Sequence, residues 1–404
     1  MKRVLILMIS LLLMLQACAC GGESTDASAG TGSAPEVTPD GRGIILDISG
    51  GEVTGRTDAP TSGSDETGPA LPGDGTAVFR FAGDFTQAEE GGDGVAMSIM
   101  SVLDNTYGGD ITRVFSDDLL SLMRDADVFM LNNEFTYTDR GTPTAGKHWT
   151  FRADPSRVAN LTRLGVDVVG LANNHAFDWG EVSLLDTIDV LDREGIPHVG
   201  AGADLAAAKK AAYFTVEGKV FSIVAATSVE KEGDSEFGMT RAATADTPGV
   251  LNTREPEETL DAIRTASENS DFCFVFVHWG TEMQETPDAE QKELAALYVE
   301  AGADAVIGAH PHILQGIEYV GGKPVIYSMG NFWFNTKERE TCLFEVAVDT
   351  ATMEPRVFFH PCLQRDSRTV LVTDSARRAQ IIDDEIARSF DITIEHITGE
   401  VTRK

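Results

Sequence analysis

Four of the eight histidines in this chain follow directly on short apolar runs, and carboxylates and amides occupy the same kind of place. Ala77–Ala82 leads into Gly83-Asp84, and Val128–Leu131 into Asn132-Asn133-Glu134. Val166–Leu171 leads into Ala172-Asn173-Asn174-His175-Ala176-Phe177-Asp178. Phe272–Val277 leads into His278-Trp279-Gly280-Thr281-Glu282, and Ala305–Ile307 into Gly308-Ala309-His310-Pro311-His312. Carboxylate oxygen, amide oxygen and imidazole are hard-to-borderline metal ligands. Two metal ions close together need a bridging carboxylate and flanking imidazoles, and such a pair activates water and stabilises charge on a phosphoryl or carbonyl oxygen. Each residue also has a plain structural use. Asp84 can cap a turn, Glu134 can be a loop carboxylate, Asn174 can bond a turn, and His175 or His278 can be a satisfied core histidine. His310-Pro311-His312 is hard to explain as packing, and the ordered set is a stronger signal than any member.

The elements that must position these residues are legible as texture. The five runs above, with Val220–Ala226 and Val325–Tyr327, have the length and composition of buried strands. Amphipathic stretches lie between them: Asp154–Leu164, Glu181–Glu194 with Gly195 as its stop, Pro256–Ser267, and Asp288–Glu300 ending at Gly302. Alternating strands and helices predict a layered α/β domain over residues 77–365. In such folds the carboxyl ends of the strands form the ligand crevice, so residues more than two hundred positions apart would meet there. Residues 366–404 read as a C-terminal extension with a polar helix near Asp374–Ser389 and a β-like tail.

The same stretches, in the same order, resemble the CapA family of capsule and poly-γ-glutamate biosynthesis, within the calcineurin-like metallophosphatase superfamily. The resemblance is carried by Phe81-Ala82-Gly83-Asp84, Leu131-Asn132-Asn133-Glu134, Leu171 to Gly180, Val277 to Glu282, Gly302 to Glu318 and Ile326 to Phe332, with Phe151-Arg152. It implies a four-layer α/β/β/α sandwich, two mixed sheets packed face to face with helices outside. It also implies roles by position. Glu134 would be the bridging acid, Asp84 would serve a first metal with His312, and Asn174, His278 and His310 would serve a second. His175 would be the general acid or the group that polarises the scissile bond, oriented by Asp178. One or two divalent ions (Mn, Zn or Fe) would be the cofactor. The chain departs from the superfamily at Thr86, where a histidine is usual two places after the first aspartate. Asn132 and Glu134 stand where a Gly-Asp pattern is usual, so the first metal site is poorer in ligands. Asn133 is polar where the family is usually apolar.

Three further residues are candidates for holding substrate. Arg152 can meet a carboxylate or phosphate bidentately, or be an ordinary ion pair. Trp279 can line the cleft or fill the core, and Glu282 closes the polar cluster after Phe272–Val277. The three internal cysteines, Cys273, Cys342 and Cys362, include no CxxC pair. Cys273 reads as a small buried hydrophobe, and Cys342–Cys362 is the conceivable disulfide.

The formal net charge is −32. That argues against nucleic acid as a partner and against a broad basic groove for an acidic polymer. An anionic polymer or phosphoester substrate would need local help from a metal or a few arginines. At the N-terminus, Met1-Lys2-Arg3 precedes an apolar run from Val4 to Leu15 interrupted by Ser10. The run is shorter than the ~20 residues of a membrane-spanning helix and reads as a signal peptide. Leu15-Gln16-Ala17-Cys18 looks like a lipobox. The expectation is a signal peptide over 1–17 and a lipid on Cys18 that anchors the chain to the outer face of the membrane, with Cys20 a weaker candidate and plain secretion the alternative. Residues 18–76, rich in Gly, Ser, Thr and Asp, read as a flexible tether, with 43–48 as a short apolar interruption.

Four functional readings follow: a surface component of a capsule synthesis or export complex, a hydrolase acting on a phosphoester or a glutamyl amide, a metal-free acid–base enzyme, and a non-catalytic polymer-binding scaffold.

Overall fold

A computed structural model describes residues 75–91, 95–96, 98–229, 240–254 and 256–404. The expected signal peptide, Cys18, Cys20 and the tether up to residue 74, including 43–48, lie outside the described residues. Among the described residues no helix is long and apolar enough to cross a membrane.

All seven apolar runs form strands. They are β1 (Thr76–Phe85), β2 (Val128–Asn133), β3 (Val168–Gly170), β4 (Lys219–Thr227), β5 (Phe272–His278), β6 (Ala305–Ala309) and β7 (Lys323–Met329). Two long strands follow, β8 (Arg339–Asp349) and β9 (Pro355–Arg365). Strands β2, β5 and β6 are buried along their whole length, which is why they read as unbroken apolar runs rather than alternating ones. The helices used below are α1 (Asp117–Arg124), α2 (Glu181–Glu194), α3 (Glu257–Glu268), α4 (Ala289–Ala301) and α5 (Ser375–Arg388). Helix α4 starts on a capping box between Asp288 and Gln291 and stops at Gly302, which takes the left-handed conformation (φ 114°).

Two sheets carry the domain. The larger runs in the order Ile392–Ile394, Glu400–Arg403, β9, β8, β1, β2, β3, His198–Val199. Its strands β1, β2 and β3 are parallel, and β8 runs antiparallel to β1. The second sheet runs Ala212–Val216, β4, β5, β6, β7, Leu314–Val320, with β4 to β7 parallel. The sheets pack face to face. Phe79 of β1 lies 4.6 Å from Phe221 and 4.7 Å from Phe274, ring centre to ring centre. Burying each such ring contributes about 1.5–3 kcal/mol. Arg80, between Phe79 and Phe81, points to the opposite face, where it pairs with Glu345 at 2.6 Å and bonds the Leu122 carbonyl of α1. Helices α3 and α4 cover the outer face of the second sheet, packing Ile263, Ala266, Leu294 and Tyr298 on Cys273, Val275 and Val306. The architecture is therefore α/β, with helices outside two apposed sheets.

The polar helix and β-like tail read after residue 365 are present, as α5 and as short strands: Arg368–Leu371 and Glu400–Arg403 hydrogen-bond to β9, and Ile392–Ile394 pairs with Glu400–Arg403. One expectation needs correction, the disulfide, since Cys342 and Cys362 are free. In the β8–β9 register Cys342 faces Pro361 and Cys362 faces Thr341, so the two thiols point to opposite sides of the sheet.

Candidate functional site

The parallel strands of both sheets deliver their carboxyl ends to one place. Asp84 is the penultimate residue of β1, Glu134 follows β2, Asn174 and His175 follow β3, His278 ends β5, and His310 follows β6. Gly83 makes the first of these positions possible. A Cβ there would lie 2.0 Å from the Gly330 carbonyl oxygen, so only glycine lets β1 approach, and the β1–β2 register slips at this point to put Asp84 opposite Asn132. His310 and His312 both adopt positive φ, 101° and 60°. Held outside the regions L-residues prefer, each costs about 1–3 kcal/mol, strain of the sort that collects at functional sites.

The side chains converge as the strand ends require. The His310 backbone N–H donates to Asp84 Oδ1 at 3.1 Å across 226 positions of sequence. Asn132 donates to the same oxygen at 2.9 Å and lies 3.1 Å from His278 Nδ1. Asn174 Oδ1 is 2.8 Å from His278 Nε2. His312 Nδ1 is 2.7 Å from Asn331 Oδ1 and 3.1 Å from Asp84 Oδ2. Ligand-capable atoms of Glu134, His278 and His310 all lie within 4.8 Å of one another, and so do those of Asp84, Glu134 and His312. Glu134 belongs to both groups.

Burial sets the electrostatics. It pushes Glu134 well above the usual carboxylate range, and the neighbouring Asp84 carboxylate adds to this. Burial also pushes Asp84 upward, but His312 and Asn132 outweigh it and leave Asp84 below its ordinary value. His278 is held well below the usual imidazole range by burial and by His310, and His310 is lowered to about 3 by burial and by His312. His312 runs the other way: burial lowers it, but contact with Asp84 raises it more. His278 and His310, held neutral, offer the unprotonated ring nitrogens a cation needs.

The residues fit a divalent cation on a second count. Glu134 Oε1, Asp84 Oδ2 and His310 Nδ1 are buried atoms with no hydrogen-bond partner, although Asp84 Oδ2 keeps its charge contact with His312. An unsatisfied buried polar atom costs about 1–3 kcal/mol, more when charged. Each of these three residues belongs to a group whose ligand atoms lie within 4.8 Å of one another, an arrangement that a cation would relieve. Thr86 takes no part; its hydroxyl accepts from the Ala88 N–H at 3.1 Å.

His175 stands beside this group. Its Nε2 lies 3.8 Å from Glu134 Oε1, and its Nδ1 is 2.6 Å from Asp178 Oδ2. Phe151 stacks on the ring at 4.4 Å, and the Phe151 N–H donates to Asp178 Oδ2 at 2.5 Å. Burial lowers the His175 pKa, Asp178 opposes this, and Lys147 reinforces it. Lys147 is a residue the sequence reading missed. Its fully buried ammonium donates to Asp178 Oδ1 and to the Asn174 carbonyl at 2.6 Å, and lies 3.3 Å from His175 Nδ1. Asn173 was also missed. Its amide donates to Asn132 Oδ1 at 3.1 Å, and its own oxygen accepts from the His175 N–H at 3.0 Å. Asn331, the partner of His312, completes the missed set. Asn173 had a signal in its place in the polar cluster after Val166–Leu171, and Asn331 in the stretch Ile326 to Phe332 that carries the resemblance.

The three substrate candidates separate. Glu282 is exposed at the rim, close enough for its charge to raise both Glu134 and His312. Arg152 does not join the cluster. Its guanidinium lies 3.6 Å above the Trp179 ring, beside a cavity of about 170 Å³ shared with Glu89, Asp139 and Asp154. Trp279 does not line a cleft. It is wholly buried in the outer core between Tyr298 and Tyr327, and its Nε1 donates to the Tyr327 carbonyl at 2.8 Å. One residue beyond His278, it faces the other side of the sheet.

A family model described as bacterial capsule synthesis protein PGA_cap matches residues 81–336. The chain is 34% identical over 217 residues to the PGA biosynthesis protein CapA of Bacillus subtilis (strain 168), covering 53% of this chain and 55% of that protein. It is 31% identical over 208 residues to the capsule biosynthesis protein CapA of Bacillus anthracis, covering 50% and 49%. The chain thus spans about half the length of the curated relatives it matches. Among solved structures, a hypothetical protein from Thermus thermophilus aligns with a TM-score of 0.40 at 14% identity, over 72% of this chain and 99% of that one.

Proposed function

The chain belongs to the bacterial capsule synthesis protein family PGA_cap, and on that basis we propose that it is an accessory of capsule polymer synthesis or export that works as a metal-dependent hydrolase. The observation that carries the hydrolase reading is the set of partnerless buried atoms on Asp84, Glu134 and His310. Asp84, Glu134 and His312 would hold one divalent ion, and Glu134, Asn174, His278 and His310 a second. Bound there, such ions supply an activated water and a Lewis acid for a phosphoryl or carbonyl oxygen.

The chain's own residues do the rest. Asp178 accepts from His175 Nδ1 and fixes the ring, so Nε2 faces the Glu134 side, where it is placed to exchange a proton with the leaving atom or polarise the scissile bond. Lys147 holds Asp178 in turn. Phe151 covers one face of the imidazole and keeps water from it. The substrate class is a phosphoester or an amide of a glutamyl polymer. The names of the Bacillus relatives support a place beside a capsule synthase or exporter, and the lipobox supports an anchor on Cys18 at the outer face of the membrane.

The test is a strain carrying His310→Ala at normal protein level. Loss of surface polymer supports an active site at the cluster, and retained polymer removes the catalytic reading in favour of a scaffold. In the same background, Cys18→Ala is expected to move the protein from the membrane fraction to the soluble one.

A further inference from the structure

Three large apolar side chains are exposed among the described residues: Trp149 (47%), Met283 (52%) and Ile397 (84%). Ile397 lies in the turn between the last two strands, far along the chain from any clustered residue. The other two lie next to residues of the candidate site. Trp149 stacks on Phe151 at 6.5 Å, and Phe151 stacks on His175 at 4.4 Å. Phe334 closes the same wall, 5.6 Å from Phe151 and 4.9 Å from His312. The Met283 N–H donates at 2.9 Å to the carbonyl of Pro311, the residue between His310 and His312. Met283 is held there at φ 60°, in the left-handed region. An aromatic ladder therefore climbs from His175 to solvent, and an exposed thioether stands beside the His310–His312 turn.

We propose that Trp149, Phe151 and Met283 form a subsite that takes an uncharged ring of the substrate, next to the anionic or acyl group that enters the cluster. The inference rests on the hydrolase reading above and names the substrate class for it. Charge selects the occupant. Glu282, beside Met283, is exposed, and its field already reaches Glu134 and His312. The whole chain carries a formal net charge of −32. A run of carboxylates flanking the scissile bond would meet that field at the rim, whereas a neutral ring would not. An aryl ring and a pyranose each offer an apolar face to Trp149, and a polarizable thioether suits either.

The experiment is calorimetric titration of the full chain in detergent, loaded with Mn²⁺, with four probes that it cannot hydrolyse: inorganic phosphate, ethylphosphonate, phenylphosphonate and a C-glucosyl methylphosphonate. At least one ring phosphonate should bind about five- to tenfold tighter than ethylphosphonate, and which one does so identifies the ring. Trp149→Ala and Met283→Ser should each cut that preference while leaving inorganic phosphate unchanged, and Ile397→Ser should change neither. Phosphate binding with no ring preference, or a preference that survives Trp149→Ala, overturns the subsite and leaves the hydrolase reading standing. Failure of all four probes, inorganic phosphate included, overturns the subsite together with the phosphoester form of the hydrolase reading.

Discussion

Replacing Glu134 by glutamine should stabilise the metal-free protein and remove its response to metal. Glu134 is completely buried, its Oε1 lacks a partner, and ligand atoms of Asp84 and Glu134 lie within 4.8 Å. Two like charges about 5 Å apart repel by about 3 kcal/mol at an effective dielectric of about 20, and an unpaired buried acceptor costs about 1–3 kcal/mol. The raised Glu134 pKa means that the protein relieves part of this by binding a proton. The net gain expected from Glu134→Gln is therefore about 1–3 kcal/mol. For a folded part of this size that is a rise of roughly 2–4 °C in Tm. A metal at a hundredfold excess over its dissociation constant adds about 2.7 kcal/mol to the wild type, and the variant, with an amide in the shared position, should gain little. The assay is thermal unfolding followed by circular dichroism, in EDTA and in Mn²⁺. The gap between the two melting curves should close or reverse on going from EDTA to Mn²⁺. A variant that melts below the wild type in EDTA, or an equal Mn²⁺ shift in both proteins, would refute the reasoning.

Two other substitutions test the surroundings. Lys147→Met leaves Asp178 buried without its cation and should cost about 3–5 kcal/mol in a denaturant titration; a loss below about 1 kcal/mol would show that the pair holds nothing in place. Glu385 on α5 is fully buried, and burial pushes its pKa up to about 8 against the pull of Arg388. Its folded pKa lies above its unfolded value, so the folded state keeps a proton that the unfolded state releases. Its contribution to stability is therefore fully present below about pH 4.5 and is lost as pH rises through about 8. Between pH 5 and pH 9 the wild type should lose about 4 kcal/mol relative to Glu385→Gln, and parallel stability curves for the two proteins would contradict this.

The strand ends were readable because burial on both faces writes a strand as a continuous apolar run, and the first polar residue after it marks where the strand leaves the core. Asp84, His278 and His310 follow that rule, and Glu134 and His175 stand two residues further on, behind Asn132 and Asn173. Helix α2 was readable to the residue because Gly195, at φ 67°, ends it. What stayed hidden depends on contacts that no local pattern encodes. Lys147 sits in an irregular stretch beside exposed Trp149, and nothing nearby announces that its ammonium is buried under Asp178. Trp279 shares a polar cluster with His278, yet pleating turns it to the opposite face. Cys342 and Cys362 are close on paired strands, but the register decides which side each thiol takes. The strands after residue 365 were legible only as a β-like tail; that Arg368–Leu371 and Glu400–Arg403 join β9 depends on a ladder no local pattern encodes.

The central claim is that the cluster holds metal, and the most direct measurement is the metal content of the full chain, purified without a histidine tag or chelator, beside His310→Ala/His312→Ala. One or two equivalents of Mn, Zn or Fe in the wild type, absent from the variant, is the expected result. No metal in either protein, even after incubation with Mn²⁺, Zn²⁺ or Fe²⁺, would contradict it.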